Sequence, residues 1–63
     1  MKSILAENIA RFRRSKGYTQ EELAGKLNLS AQAVSKWENA QSLPDITQLP
    51  RLAGLLETDI DTL

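Results

Sequence analysis

The 63-residue sequence contains no cysteine and no histidine. Without cysteine it can hold neither a disulfide nor a thiolate metal site. Without histidine it lacks the commonest general base and metal ligand. Its three glycines are scattered, so no glycine-rich loop can cradle a phosphate. The carboxylates do not pair for acid–base work. Glu21 and Glu22 are neighbours and point to different faces of a helix, and Asp59 and Asp61 lie near the end of the chain. These absences exclude the usual enzyme classes, and no catalytic residue, metal ligand or cofactor is expected. No apolar run approaches the roughly 20 residues that a bilayer span needs. No basic start leads into an apolar stretch of the kind that directs secretion. A cytoplasmic location without membrane contact is therefore the default expectation.

What is present is enough for one small helical domain spanning residues 1–63. A chain of this length buries only about 60% of its unfolded surface, so modest stability is expected. The hydrophobic fraction of 41% suffices for a helical core if it is well placed. Formal net charge is zero, but its distribution is uneven. Up to Trp37 there are seven basic residues (Lys2, Arg11, Arg13, Arg14, Lys16, Lys26, Lys36) against Glu7, Glu21 and Glu22. From Glu38 onward Arg51 stands alone against five acidic residues. The halves are thus oppositely charged, which fits either a local basic face or two ordinary solvated surfaces.

The apolar spacing predicts a helix over residues 1–16, with Leu5, Ile9 and Phe12 on one stripe. Ser3 is its expected N-cap. Arg13, Arg14 and Lys16 suit its last turn, and Gly17 suits the left-handed stop. A second helix is expected from about Gln20 to Leu27, announced by the capping-box pair Thr19 and Glu22. Asn28 sits where it must stop. A third is expected from about Ala31 to Glu38, capped by the Ser30 hydroxyl. Tyr18 with Leu23, and Leu29 with Val34, have the spacing of hydrophobic staples. Leu23, Ala24, Leu27, Val34 and Trp37 are the inward residues, which leaves Ala31, Gln32, Ser35 and Lys36 outside. Residues 39–45 read as a loop with Leu43 tucked inward. A fourth helix follows, carrying Ile46, Leu49, Leu52, Ala53 and Leu56. With Thr47 as its N-cap, Pro50 falls in the first turn, where its missing amide costs nothing. Gly54 marks either close packing or simple tolerance. Thr58 and Asp61 suggest a fifth helix with Ile60 and Leu63, short or truncated after barely one turn. Leu55, Ile60 and Leu63 either finish the core or form a dimer contact. The expected fold is an all-α, compact five-helix orthogonal bundle.

Two short helices joined by a tight turn over residues 19–39, the second exposing a polar face, match a helix-turn-helix. The residues themselves carry a resemblance. Thr19-Gln20-Glu21-Glu22-Leu23-Ala24, Leu29-Ser30 and Val34-Ser35-Lys36-Trp37-Glu38-Asn39 resemble the lambda-repressor-like, XRE-type helix-turn-helix family of phage Cro and repressor proteins. Leu5, Ile9, Phe12 and Arg13 look like that family's first helix, and residues 43–53 and 59–63 like its fourth and fifth.

The resemblance implies sequence-specific binding of double-stranded DNA by a transcriptional regulator, with the third helix in the major groove. It implies base contacts at Ala31, Gln32, Ser35 and Lys36. Phosphate contacts are implied at Gln20 and, through backbone amides after the third helix, at Asn39, Ala40 and Ser42. An Arg13–Glu38 ion pair would tie the first helix to the end of the third. A homodimer on a palindromic operator is the implied assembly. The sequence departs from the family at two stops where glycine is common, which are Asn28 and Ala40. Alanine at the second makes a left-handed stop costly. The alternative function is an antitoxin-like or other protein-interaction module on the same fold, favoured by the zero net charge. Where the chain stops, one turn into the fifth helix, suggests either a trimmed regulator or a minimal protein.

Overall fold

A computed structural model describes residues 4–58. Its elements are α1 (Ile4–Ser15), α2 (Gln20–Lys26), α3 (Ala31–Glu38) and α4 (Leu49–Leu55), and no strand occurs among the described residues. The helix at α3 packs against α2 and α1. The core is built from Ile9, Leu23, Ala24, Leu27, Val34, Trp37, Leu52 and Leu56. Leu5, Phe12, Tyr18, Leu29 and Leu55 close over it. Every inward residue expected for α2 and α3 is buried. Trp37 is therefore a packing residue and offers no platform for stacking a base.

The helix ends explain how so short a chain turns four times. Each helix closes with the paired bonds of a Schellman stop, which satisfy the last carbonyls. After α2, Leu29 N donates to Ala24 O at 2.9 Å and Asn28 N to Gly25 O at 3.2 Å. After α3, Gln41 N donates to Lys36 O at 2.8 Å and Ala40 N to Trp37 O at 3.2 Å. Gly17 (φ 77), Asn28 (φ 58), Ala40 (φ 59) and Glu57 (φ 54) hold the left-handed position in the four stops. Ala40 thus adopts the conformation that its side chain disfavours. The Lys16 ammonium also pairs with the Glu57 carboxylate, linking the exposed ends of α1 and α4.

The helix starts differ from expectation at two places. Thr19 does form a full capping box: Glu22 N donates to Thr19 Oγ1 at 3.0 Å, and Thr19 N to Glu22 Oε1 at 2.9 Å. Ser30 has the extended backbone of an N-cap, but its hydroxyl makes no capping bond. The start of α4 is not capped by Thr47. Asp45 takes that work one step earlier, because its Oδ1 accepts from Thr47 N at 2.9 Å and Gln48 N at 3.0 Å. The turn so tied leaves Gln48 as the residue before the helix and puts Pro50 in its first turn. Ile46 lies outside that turn and is 82% exposed, so it is not part of the helical stripe. Leu43 is 71% exposed instead of tucked in, and the neighbouring Pro44 takes the inward place. A Cβ on Gly54 would meet nothing within 4 Å, which makes that glycine tolerated and not required by packing. The expected Ser3 cap and the fifth helix lie outside the described residues.

Candidate nucleic-acid interface

Burying Val34 and Trp37 fixes how α3 is rotated about its own axis. What remains outside follows from the 3.6-residue period. Gln32 and Lys36 are exposed, while Ala31 and Ser35 are half-buried beside them. Gln32, Ser35 and Lys36 line a shallow open depression, and Gln41 from the following loop lines it too. Three of the four expected base-reading residues therefore share one shallow, open depression. Asn39 Nδ2 donates to Ser35 Oγ at 3.3 Å, which leaves the Ser35 hydroxyl hydrogen free to point elsewhere.

Behind this face lies a polar network that holds α3 to the rest of the domain. Arg13 on α1 reaches Glu38, the last residue of α3, with two bonds: Nε to Oε2 at 2.6 Å and Nη2 to Oε1 at 3.0 Å. Its third arm, Nη1, donates to Tyr18 O at 2.8 Å in the turn before α2. Glu38 Oε1 also accepts from Gln20 Nε2 at 3.0 Å. Arg13 and Glu38 are both buried, with relative exposures of 9% and 7%. Burial pushes the Glu38 carboxyl up. The hydrogen bonds from Arg13 and Gln20, and the charges of Arg13 and Arg14, outweigh it and hold the group below the ordinary glutamate value. Glu38 is thus an anion at neutral pH. One buried carboxylate joins α1, the start of α2 and the end of α3, and this geometry orients the exposed face.

The residues expected at phosphates are placed less simply. Gln20 spends one amide hydrogen on Glu38, so the other and the carbonyl oxygen remain for an outside partner. The backbone amides after α3 are turned inward. Asn39 N donates to Ser35 O at 3.0 Å, Ala40 N to Trp37 O at 3.2 Å and Ser42 N to Lys36 O at 3.4 Å. A Schellman stop and a phosphate cradle compete for the same donors, and here the stop takes them.

Sequence reasoning missed two features of this site. The bond between Gln20 and Glu38 spans 18 positions and leaves no local pattern. The second is the place of Gln41 at the depression. Its signal was available, because a chain reversed by a left-handed residue 40 brings residue 41 back beside residue 36. Elsewhere, Arg11 lies over the Phe12 ring and Lys26 over the Tyr18 ring, each 5.4 Å from the centroid. Among the described residues no cluster of acidic side chains could hold a metal ion.

Two short helices crossing through a tight turn, with the second held by its inner face and bare on its outer one, define a helix-turn-helix domain. The chain belongs to the helix-turn-helix family, whose pattern matches residues 9–63. It is 35% identical over 57 residues to the HTH-type transcriptional activator BcrR of Enterococcus faecalis, which covers 90% of this chain and 28% of BcrR. It is 32% identical over 60 residues to YonR, a prophage-derived, uncharacterized HTH-type transcriptional regulator of Bacillus subtilis. That match covers 95% of this chain and 56% of YonR, so the chain spans little more than half of either relative at most. In structure it is similar to the P22 c2 repressor solved with synthetic operator 9T, with a TM-score of 0.88 at 25% identity. That likeness covers 95% of this chain and 91% of the repressor chain.

Proposed function

We infer that this chain is a sequence-specific DNA-binding domain of a transcriptional regulator, with α3 laid in the major groove. The observation that carries this reading is the outer face of α3. Gln32, Ser35 and Lys36 converge there on one open depression, while the large apolar residues of the helix, Val34 and Trp37, are spent on the core. The chemistry fits base edges. Gln32 can meet adenine N6 and N7 bidentately, Lys36 can donate to guanine O6 and N7, Ser35 can serve either, and Ala31 offers a methyl group to thymine. Gln20 keeps one amide hydrogen for a phosphate. At Asn39 and Ser42 the exposed side chains take over from the engaged backbone amides, and Ala40 has only its backbone to offer. A copy on each half-site of a palindrome, about 10 base pairs apart, makes up for the few contacts of one domain. A fifth helix beyond Thr58 belongs to the same reading, as does a non-enzymatic role inside the cell.

Zero net charge favours a second reading, a module that binds another protein through the same face. Titration against labelled random-sequence DNA separates the two. Binding at about 50 mM salt that weakens steeply with added salt is expected of the DNA reader, since phosphate contacts release counterions. No binding under those conditions leaves only the protein-interaction reading. With a selected site in hand, Gln32→Ala is expected to lose discrimination at one base pair at a cost of about 1–3 kcal/mol. An unchanged preference at every position removes Gln32 from the reading set.

A further inference from the structure

We propose that Gln41 is a further specificity-determining residue, reading a base edge next to the one met by Lys36. This rests on the DNA-binding reading above and extends it beyond the recognition helix.

Three observations place Gln41 among the readers. It lines the same depression as Gln32, Ser35 and Lys36, although it lies past the end of α3. Its backbone amide is fixed on Lys36 O at 2.8 Å, and the left-handed Ala40 before it turns the chain back along the helix. The loop therefore presents residue 41 at a defined position beside residue 36. Its side-chain amide is exposed and bonds to no described residue, whereas the nearby Asn39 amide gives one hydrogen to Ser35 Oγ. A free carboxamide has both a donor and an acceptor, which is the pair that adenine N7 and N6 require. A recognition helix enters the groove N-terminus first, so its far end rises away from the bases. A side chain folded back from the loop covers the edge that the helix itself leaves unread.

The experiment is selection from a random duplex pool, run in parallel with the intact chain and with Lys36→Ala, Gln41→Ala and Gln41→Glu. Gln41 is exposed, so its variants are expected to keep the helical circular dichroism of the parent. Gln41→Ala is expected to lose about tenfold or more of the preference at one position, adjacent to the position that Lys36→Ala relaxes. Gln41→Glu is expected to move that preference toward cytosine, whose N4 amino group a carboxylate accepts. Two results overturn the proposal while leaving the DNA-binding reading intact. One is an unchanged motif in Gln41→Ala; the other is an equal loss of affinity across all sequences, which makes Gln41 a phosphate contact. If the intact chain selects no motif at all, the DNA-binding reading fails, and this proposal fails with it.

Discussion

The two ends of α3 are built on opposite principles. At its C-terminal end the Glu38 carboxylate is committed to Arg13 and Gln20, and the backbone amides of residues 39–42 to the carbonyls of α3 itself. Its N-terminal end is open. The Ser30 hydroxyl caps nothing, and Gln32 two residues further on is exposed. The neighbouring helix α2 has the same cap chemistry available and uses it fully, with Thr19 and Glu22 each bonded to the other's amide. Since hydrogen bonds made inside a fold are not available outside it, the contrast divides labour. One end of α3 is fastened through its carboxylate and backbone, and the other is left without a side-chain cap. The division can be attacked from either side, through stability at the fastened end and through indifference at the open one.

The strongest attack is on Glu38. In Glu38→Ala the Arg13 guanidinium stays buried with only the Tyr18 carbonyl as partner. Leaving one member of a buried pair alone costs about 3–5 kcal/mol. For a small domain that is a large share of its stability, and urea denaturation measures it directly. A loss below about 1 kcal/mol would mean that the pair behaves like one on the surface, and the fastened end would be fastened by apolar packing alone. The same carboxylate sets a pH dependence. Because the fold holds it below the ordinary glutamate value, the unfolded chain takes up its proton first as pH falls. The contribution is therefore complete above about pH 4.3 and is lost as pH drops below that, through the lowered folded value. Glu38→Gln removes that part of the acid sensitivity, and comparing the two denaturation midpoints between pH 6 and pH 3 isolates it.

A second and smaller test concerns the stop after α3. An alanine at φ 59 carries a steric cost of about 1–2 kcal/mol that glycine avoids. Glycine gives back part of that gain through its freer unfolded chain. Ala40→Gly is thus expected to raise stability by about 1 kcal/mol, seen as a higher melting midpoint, without moving Gln41. A fall in stability instead would mean that the stop is held by something other than backbone conformation.

Much of this architecture could be read from the sequence because the governing interactions are local. Thr19 with Glu22, Gly17 and Asn28 all act within one turn of themselves, and Leu23, Leu27, Val34 and Trp37 follow the helical period. The errors fall where position depends on the path of the chain. Leu43 and Ile46 lie in an irregular connection, and an apolar residue there carries no period to say which way it faces. Thr47 has the type of a cap, but Asp45 Oδ1 holds both its amide and its hydroxyl in the turn before the helix. At the site, the outward residues of α3 followed from its inward ones. Whether the amides after α3 were free did not, since that depends on whether alanine tolerates a left-handed position well enough to complete the stop.

The smallest expected effect is also the sharpest comparison, because it sets two similar hydroxyls against each other. Thr19→Ala removes a formed cap and should cost about 1 kcal/mol, the usual value of such a bond. Ser30→Ala removes a hydroxyl that holds no amide, and the position is exposed, so its stability change should stay within about 0.5 kcal/mol. Urea curves for the two variants, run side by side, give the difference with most systematic error cancelled. Equal losses would show that Ser30 caps α3 in solution, and the open end of the helix would then be closed like that of α2. Near-zero cost at Ser30 beside a clear cost at Thr19 means that no side chain caps the first turn of α3, where Ala33 N bonds only the Ser30 carbonyl at 3.0 Å.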